Sequence, residues 1–142
     1  MASPTLHVAA ALIVDDAGRY LLVRKRGTTA FMQAGGKIEP GEEPHDAVVR
    51  EVAEELGVTV TPEQVRPLGH HDAPAANEPG HRISAHVFAV DGVVGAVPTA
   101  EIAEAVWVDL EQAARLPLAP LTATLLGLDV AQRGPAGAPL GA

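Results

Sequence analysis

An α/β (or α+β) fold is predicted for this chain, with several β-strands packed against a few helices. Short apolar, extended segments occur both before and after residues 44–57, and residues 44–57 repeat their apolar side chains at helical spacing. Hydrophobic residues make up 47% of the chain but aromatic residues only 3%, so Ala, Val and Leu must fill the core. The length of 142 residues suits one such core. We expect a single domain over residues 1–132 and a disordered Gly/Pro/Ala-rich tail over residues 133–142.

The N-terminal region is predicted to form a β-hairpin followed by a loop. Residues 6–14 are an apolar run, residues 15–18 have the composition of a tight turn, and residues 19–24 are again extended. Residues 27–37 end in two glycines and a lysine and are interpreted as a loop. This loop leads directly into the helix.

The helix is the most strongly indicated element. Pro44 suits its first turn, where the missing N–H is not needed and the fixed φ fits. Gly57 suits its C-terminal cap, where a left-handed residue is usually required. Between them one apolar stripe follows the i, i+3, i+4, i+7 pattern, formed by Val49, Val52, Ala53 and Leu56. We expect this stripe to be buried.

Three glutamates, Glu51, Glu54 and Glu55, are predicted on the opposite, exposed side of the same helix. Like charges at i, i+4 cost about 0.2–0.5 kcal/mol per pair, and only Arg50 offers relief, with Glu54 at i+4 and Asp46 at i−4. A divalent cation would remove the conflict, because Mg²⁺ prefers hard oxygen ligands. On its own, however, an E-x-x-E-E helix is more often a solvated surface.

The remainder of the chain alternates predicted strands, loops and helices. The predicted strands are residues 65–71, 83–90 and 105–108. The predicted loops are residues 72–80 and 92–99, and the predicted helices are residues 110–116 and 121–131.

Composition also excludes several classes of function. The chain has no cysteine, which rules out disulfides, thiolate metal sites and a cysteine nucleophile. A formal net charge of −8 argues against nonspecific nucleic-acid binding. Neither a signal peptide nor a run of 18 apolar residues is evident, so membrane spanning is not indicated and we expect a cytoplasmic location. An anionic substrate would need local cations and a bound metal.

Residues 36–58 carry the spacing G-x5-E-x7-R-E-V-x-E-E-x-G-V, with every specified position filled. This pattern resembles the signature box of the Nudix (MutT-like) superfamily. The resemblance implies an α/β/α sandwich with a mixed β-sheet and a metal-dependent pyrophosphohydrolase that uses Mg²⁺ or Mn²⁺. It leaves open whether the chain forms a homodimer, as many relatives do.

The resemblance also implies roles for individual residues of the box. The metal ligands would be the carboxylates of Glu51, Glu54 and Glu55, together with the backbone carbonyl of Gly35. Glu51 would be either a ligand or the base that activates water. Arg50 belongs to the implied catalytic set with Glu51 and Glu54, because in the family it orients the neighbouring glutamates.

Outside this set, Glu42 and two downstream glutamates need separate interpretation. Glu42 would act as Arg50 does, as an orienting group near the helix N-terminus, and the alternative is a direct metal ligand. Residues 101–107 resemble the family segment E-I-x-E-x-x-W, which implies a catalytic glutamate over the metal site. Glu101 fits that position best and Glu104 is the second choice. The alternative is that both are solvated loop charges.

Cations near the glycine pair are the candidate phosphate contacts. Lys37 follows the pair directly, Arg26 lies where mutator-type relatives touch phosphate, and Arg82 precedes a predicted strand. Arg24 and Lys25 are interpreted instead as exposed strand-end charges.

The favoured substrate is a nucleoside triphosphate, normal or oxidised, that is split into monophosphate and pyrophosphate. ADP-ribose or a nucleotide sugar is the alternative, supported by the position of Pro74 after the box. A Nudix-fold nucleotide sensor without catalysis and an acidic structural domain are the remaining alternatives.

Overall fold

A computed structural model of the chain describes residues 4–99 and 101–128. The strands are β1 (Thr5–Ile13), β2 (Tyr20–Lys25), β3 (Ala34–Lys37), β4 (Val65–Pro74), β5 (Arg82–Val90) and β6 (Ile102–Val108). The helices are α1 (Pro44–Leu56), α2 (Leu110–Ala113) and α3 (Pro120–Leu125), with a single 3₁₀ turn over Pro62–Gln64.

Four of the strands form one mixed sheet in the order β3-β1-β5-β4. β1 runs parallel to β5 and antiparallel to β3, and β4 runs antiparallel to β5. β2 and β6 form a separate antiparallel pair. The predicted α/β class with a mixed sheet is therefore confirmed, although the second sheet was not foreseen.

The two faces of β1 lie in two different parts of the core. Ala9, Ala11 and Ile13 belong to the cluster that contains the buried residues of α1. Ala10 belongs instead to a cluster with Leu121 of α3. Since side chains alternate along a strand, α1 and α3 cover opposite faces of the sheet, which is the predicted sandwich.

The predicted N-terminal hairpin is wrong. The turn forms, because Asp15 Oδ1 accepts hydrogen bonds from the backbone N–H of Ala17 at 3.0 Å and of Arg19 at 2.8 Å. Beyond the single bridge between Val14 and Tyr20 the strands separate. β3 and β5 occupy both edges of β1, so β2 pairs with β6 in the other sheet.

The interpretation of residues 27–37 as a loop is also wrong in part, because Ala34–Lys37 form strand β3. Glycine has low strand propensity and no side chain to show alternation, yet Gly35 and Gly36 pair with Ala10 and Ala9 of β1. Two other strands are longer than expected, with β4 continuing to Pro74 and β6 beginning at Ile102.

The C-terminal helices are shorter than expected. α2 covers only Leu110–Ala113, and α3 is described over Pro120–Leu125. The final residues of the predicted last helix and the predicted tail over residues 133–142 lie outside the described residues. Within the part of the chain that the structure describes, no helix is long and apolar enough to cross a membrane.

Candidate active site

Both predicted ends of α1 are confirmed. The helix begins at Pro44, and Gly57 caps it with a φ of 66° while donating its backbone N–H to the carbonyl of Ala53 at 3.0 Å. Glu43 precedes the helix without a side-chain capping bond, as expected for a weak cap. The fully buried apolar residues of the helix are Ala47, Val48, Val52 and Leu56.

The predicted exposure pattern of α1 is wrong at Glu51, Ala53 and Glu55. Glu55 is only 2% exposed, whereas Ala53 of the predicted stripe is exposed. The reason is the partner strand, because α1 packs against β3 and β3 presents glycine there. A carboxylate can occupy space that strand side chains would otherwise fill.

The glycine pair of β3 contacts two of the glutamates directly. Gly35 donates its backbone N–H to Glu55 Oε1 at 3.1 Å. At Gly36, an added Cβ would lie 2.4 Å from Glu51 Oε2. Glu51 is itself only 12% exposed. The structure thus brings Glu51, Glu55 and Gly35 together at the α1–β3 contact.

Alanine at the two glycines is expected to have unequal effects on stability. At Gly35 the φ is 144°, and a Cβ would stand 2.2 Å from the carbonyl oxygen of Ala9, so Gly35→Ala should lower Tm severely. At Gly36 the obstructing atoms belong to the flexible Glu51 carboxylate. Gly36→Ala should therefore cost little stability and displace that carboxylate. Thermal unfolding of both variants tests this, and equal losses of Tm would contradict it.

Arg50 ties several carboxylates together. Its Nε and Nη2 donate to the two oxygens of Glu42 at 2.8 and 2.9 Å, and its Nη1 donates to Glu51 at 3.1 Å and to Glu54 at 3.3 Å. Nη2 also donates to the carbonyl of Lys37 at 3.0 Å. The planar guanidinium thus joins Glu42 in the loop before α1, the glutamates of α1 and the end of β3.

One expectation about the neighbours of Arg50 is wrong, and one is given a specific contact. The Asp46 carboxylate, predicted to lie near Arg50, is 3.8 Å from His45 Nδ1 instead. Glu42, predicted as an orienting group, is the bidentate partner of Arg50, and this hydrogen bonding lowers the pKa of Glu42 to about 2.

Lysine at position 50 should preserve the charge but lose the network. Arg50→Lys cannot make the paired contacts with Glu42, so we expect a lower Tm and weaker catalysis of at least about tenfold. Arg66→Lys is the matched control, because Arg66 is exposed and its ion pair with Asp91 is long at 3.8 Å. Unfolding and steady-state rates of the two variants would be compared, and the expectation fails if they behave alike.

Burial sets the electrostatics of the two inner glutamates. It raises the pKa of Glu55 to about 7, against the lowering effects of the Gly35 N–H and of Lys25. Burial also raises the pKa of Glu51, and there Arg50 is the main opposing group. Both carboxylates therefore lack full charge compensation from the chain.

This donor set suits a hard divalent cation. Among residues 4–99 and 101–128 no three acidic or histidine side chains stand close enough to form a complete metal shell. Mg²⁺ does not need one, because it commonly binds through one or two carboxylates and keeps waters or substrate phosphates as its other ligands. Glu51 and Glu55 would supply those carboxylates. Glu54 is 58% exposed and stands at the solvent side of Arg50.

The two downstream glutamates have different surroundings. Glu101 is close enough to raise the pKa of Glu55, and its backbone carbonyl accepts from the N–H of Arg26 at 2.9 Å. Glu104 instead pairs with Arg24 across β2 and β6 at 2.8 Å. Of the two predicted alternatives, only Glu101 lies near the buried carboxylates.

The cations also divide into two groups. Lys37 lines a cavity beside the glycine pair, and Arg26 begins the turn after β2. Arg82 lines a different cavity, of about 290 Å³, with His70 and Asp72. The structure therefore does not bring Arg82 together with the carboxylates.

Lys25 is a residue that sequence reasoning undervalued. The sequence predicts an exposed strand-end charge there, but Lys25 lines the cavity beside the glycine pair and opposes the rise that burial causes in the pKa of Glu51 and of Glu55. The only local signal is its position at the end of β2, and this position does not reveal that the tertiary fold brings the end of β2 close to α1.

The cavity beside the glycine pair has a volume of about 120 Å³. Its walls come from the α3 side of β1 and from α3 itself, including Leu6, Val8, Ala119 and Leu121. Gly35, Gly36, Lys25 and Lys37 also line it. An elongated anion could reach from the carboxylates into this apolar space.

Comparison with known proteins gives matches to one family. The family model described as NUDIX domain matches residues 4–126. The CTP pyrophosphohydrolase of Escherichia coli is 34% identical over 133 residues, covering 90% of this chain and 93% of that protein. The ADP-ribose pyrophosphatase of Methanocaldococcus jannaschii is 33% identical over 117 residues, covering 78% and 68%.

Solved structures show the same similarity. The solution structure of the E. coli ORF135 protein has a TM-score of 0.69 and 33% identity, with 93% of each chain covered. A MutT protein from Methanosarcina mazei has a TM-score of 0.72 and 26% identity, with 89% of this chain and 92% of that chain covered.

Proposed function

Because the chain belongs to the Nudix family, whose pyrophosphatases act on phosphoric anhydride bonds, we propose that it hydrolyses a nucleoside triphosphate to the monophosphate and pyrophosphate. The observation that carries the proposal is the buried pair of carboxylates at the glycine strand, next to an apolar cavity bordered by two lysines. The triphosphate chain would lie at the carboxylates, through a bound cation, and the nucleoside would enter the adjacent apolar cavity.

Nudix hydrolases generally use divalent metal ions, and Mg²⁺ is our proposed cofactor here, with Mn²⁺ as a substitute. Glu51 and Glu55 would hold it, with the carbonyl of Gly35 as a further oxygen donor, and Glu54 would contribute only from the solvent side of Arg50. When bound, such a cation neutralises phosphate oxygens and lowers the pKa of its water. The net charge of −8 makes this neutralisation important for admitting an anion.

The remaining polar residues would orient the substrate and handle the proton. Arg50 fixes the positions of Glu51 and Glu54 through its hydrogen bonds. Lys25 and Lys37 border the cavity and would contact phosphate oxygens as mobile point charges. Glu101 or Glu51 would accept the proton of the attacking water. The water oxygen would form a new bond to the attacked phosphorus as the bridging P–O bond breaks, and the leaving phosphate would carry the electron pair away.

ADP-ribose is the second candidate substrate. It is supported by the similarity to the M. jannaschii enzyme, which covers 78% of this chain. Both candidates contain a P–O–P bridge attached to a nucleoside, so the carboxylate site serves either one.

Product analysis over a substrate panel separates these candidates. The panel contains normal and oxidised triphosphates, ADP-ribose and nucleotide sugars, each with Mg²⁺ and with EDTA. Monophosphate plus pyrophosphate, formed only with Mg²⁺, is the expected result. AMP plus ribose phosphate would favour the second candidate. Nucleotide binding without turnover of any substrate would refute both and leave a sensor role.

A further inference from the structure

The short segment before the glycine pair is held on both sides by backbone hydrogen bonds. Met32 exchanges two such bonds with Val23 of β2, each 2.8 Å long. Phe31 donates to the carbonyl of Pro117 at 2.7 Å and accepts from Ala119 at 2.9 Å. Gln33 follows this doubly paired segment directly. Its backbone is therefore fixed relative to α3, which begins one residue after Ala119.

Gln33 makes a buried polar contact with α3. Gln33 is 9% exposed and Thr122 is 1% exposed. The Thr122 hydroxyl donates to Gln33 Oε1 at 2.7 Å. Within residues 4–99 and 101–128, the Gln33 amide nitrogen has no hydrogen-bond partner. A buried amide donor without a partner costs free energy, so a group that enters the adjoining space would be expected to satisfy it.

That adjoining space is the cavity beside the glycine pair, and Gln33 lines it. The nearby wall is apolar, formed by Met32, Ala119 and Leu121. The other polar or charged lining residues come from different segments: Lys25 ends β2, Lys37 ends β3, and Asn77 and Glu78 lie in the loop after β4. The Gln33 amide is thus the polar group set into the apolar wall.

We propose that the Gln33 amide reads the hydrogen-bonding edge of the substrate's base, and that Thr122 allows it to present either of its two ends. This proposal rests on the proposed nucleotide hydrolase function. A hydroxyl both donates and accepts, so the contact with Thr122 survives when the amide turns by half a revolution. One orientation offers the NH₂ group to the cavity and the other offers the carbonyl oxygen.

The consequence is tolerance for an amino or a keto group at the same ring position. CTP and UTP differ in this way, and the wild-type enzyme should distinguish their kcat/KM values by less than about tenfold, because one reoriented hydrogen bond serves each base. A fixed donor or acceptor would leave one of the two bases with an unmatched buried group.

The decisive variant is Gln33→Glu, which keeps the shape but leaves only acceptor oxygens when ionised. It should raise the CTP-to-UTP ratio of kcat/KM by about tenfold or more, since a charged acceptor pairs with the amino group and opposes the keto group. Gln33→Met, which has no hydrogen-bonding amide, should weaken both substrates equally and leave the ratio unchanged. Thermal unfolding of both variants checks that the fold is retained.

Thr122 is a positioning residue, and its role is tested separately by KM and kcat. Thr122→Val removes the hydroxyl with little change in shape and should raise KM severalfold for both substrates while kcat is retained. Thr122→Ser should restore KM. A loss of Tm with no change in KM would indicate a purely structural hydroxyl and overturn the positioning role.

Binding measurements keep this test separate from that of the hydrolase function. Calorimetric titration with CMP and UMP needs no turnover, so it reports on base reading even if the wild type hydrolyses nothing. An unchanged CMP-to-UMP or CTP-to-UTP ratio in folded Gln33→Glu would overturn the proposal. So would wild-type discrimination above about a hundredfold, or failure of both monophosphates to bind.

Discussion

Replacing Glu55 with glutamine is expected to lower kcat by about 10³-fold, because a catalytic metal centre supplies several kcal/mol of transition-state stabilisation and each ~1.4 kcal/mol is a factor of ten. The variant is nearly isosteric, and its amide oxygen can still accept the hydrogen bond that Gly35 donates at 3.1 Å. What it loses is the buried negative charge. Steady-state rates at saturating Mg²⁺ and substrate measure the effect.

Glu43→Gln is the matched control, since it removes the same charge from an exposed residue whose side chain makes no capping bond. Its rate should equal that of the wild type. Glu54→Gln should fall between the two, because Glu54 is 58% exposed and its absence leaves Glu51 and Glu55 in place. If Glu55→Gln retains wild-type kcat and kcat/KM, the buried glutamate is not part of the catalytic site.

Without metal, the protein should lose stability as the pH rises from about 5 to above 7. Burial raises the folded-state pKa of Glu55 from 4.5 to about 7, so the fold favours the protonated carboxyl. Its contribution to stability is complete below the unfolded-state pKa and disappears as the pH passes the folded-state pKa. At roughly 1.4 kcal/mol per pKa unit, the change amounts to at most about 3.5 kcal/mol.

Denaturant unfolding in EDTA at pH 5 and pH 8 measures this change. Histidines titrate in the same window, so the informative quantity is the wild-type change minus the change in Glu55→Gln, which shares all six histidines. Addition of Mg²⁺ should stabilise the wild type more at pH 8 than at pH 5, because the ligand must be ionised. Equal pH dependence in the wild type and the variant would contradict the prediction.

Local signals predicted α1 but not the packing on its carboxylate side. Pro44 and Gly57 define the ends of the helix through backbone geometry that acts within one turn. A helical wheel assigns glutamate to solvent, because it contains no information about the partner surface. The burial of Glu55 depends on strand β3, whose glycines carry no pattern that could reveal a strand.

Long-range contacts limited the prediction of the cavity in the same way. Gln33 and Thr122 meet only because residues 31–33 align with the segment before α3. Each residue alone is an ordinary polar side chain in the sequence. Glu101, in contrast, could be ranked above Glu104 from the resemblance, and its proximity to Glu55 is consistent with that order.

The parallel pairing of β1 with β5 has a consequence for biogenesis. Thr5 of β1 pairs with Arg82 of β5, so more than half of the chain must leave the ribosome before the central strand pair can form. Until then one edge of β1 is open, and its apolar residues are available to other chains. Such non-local pairing also slows folding. We therefore expect chains truncated before β5 to aggregate, even though they contain the entire carboxylate helix.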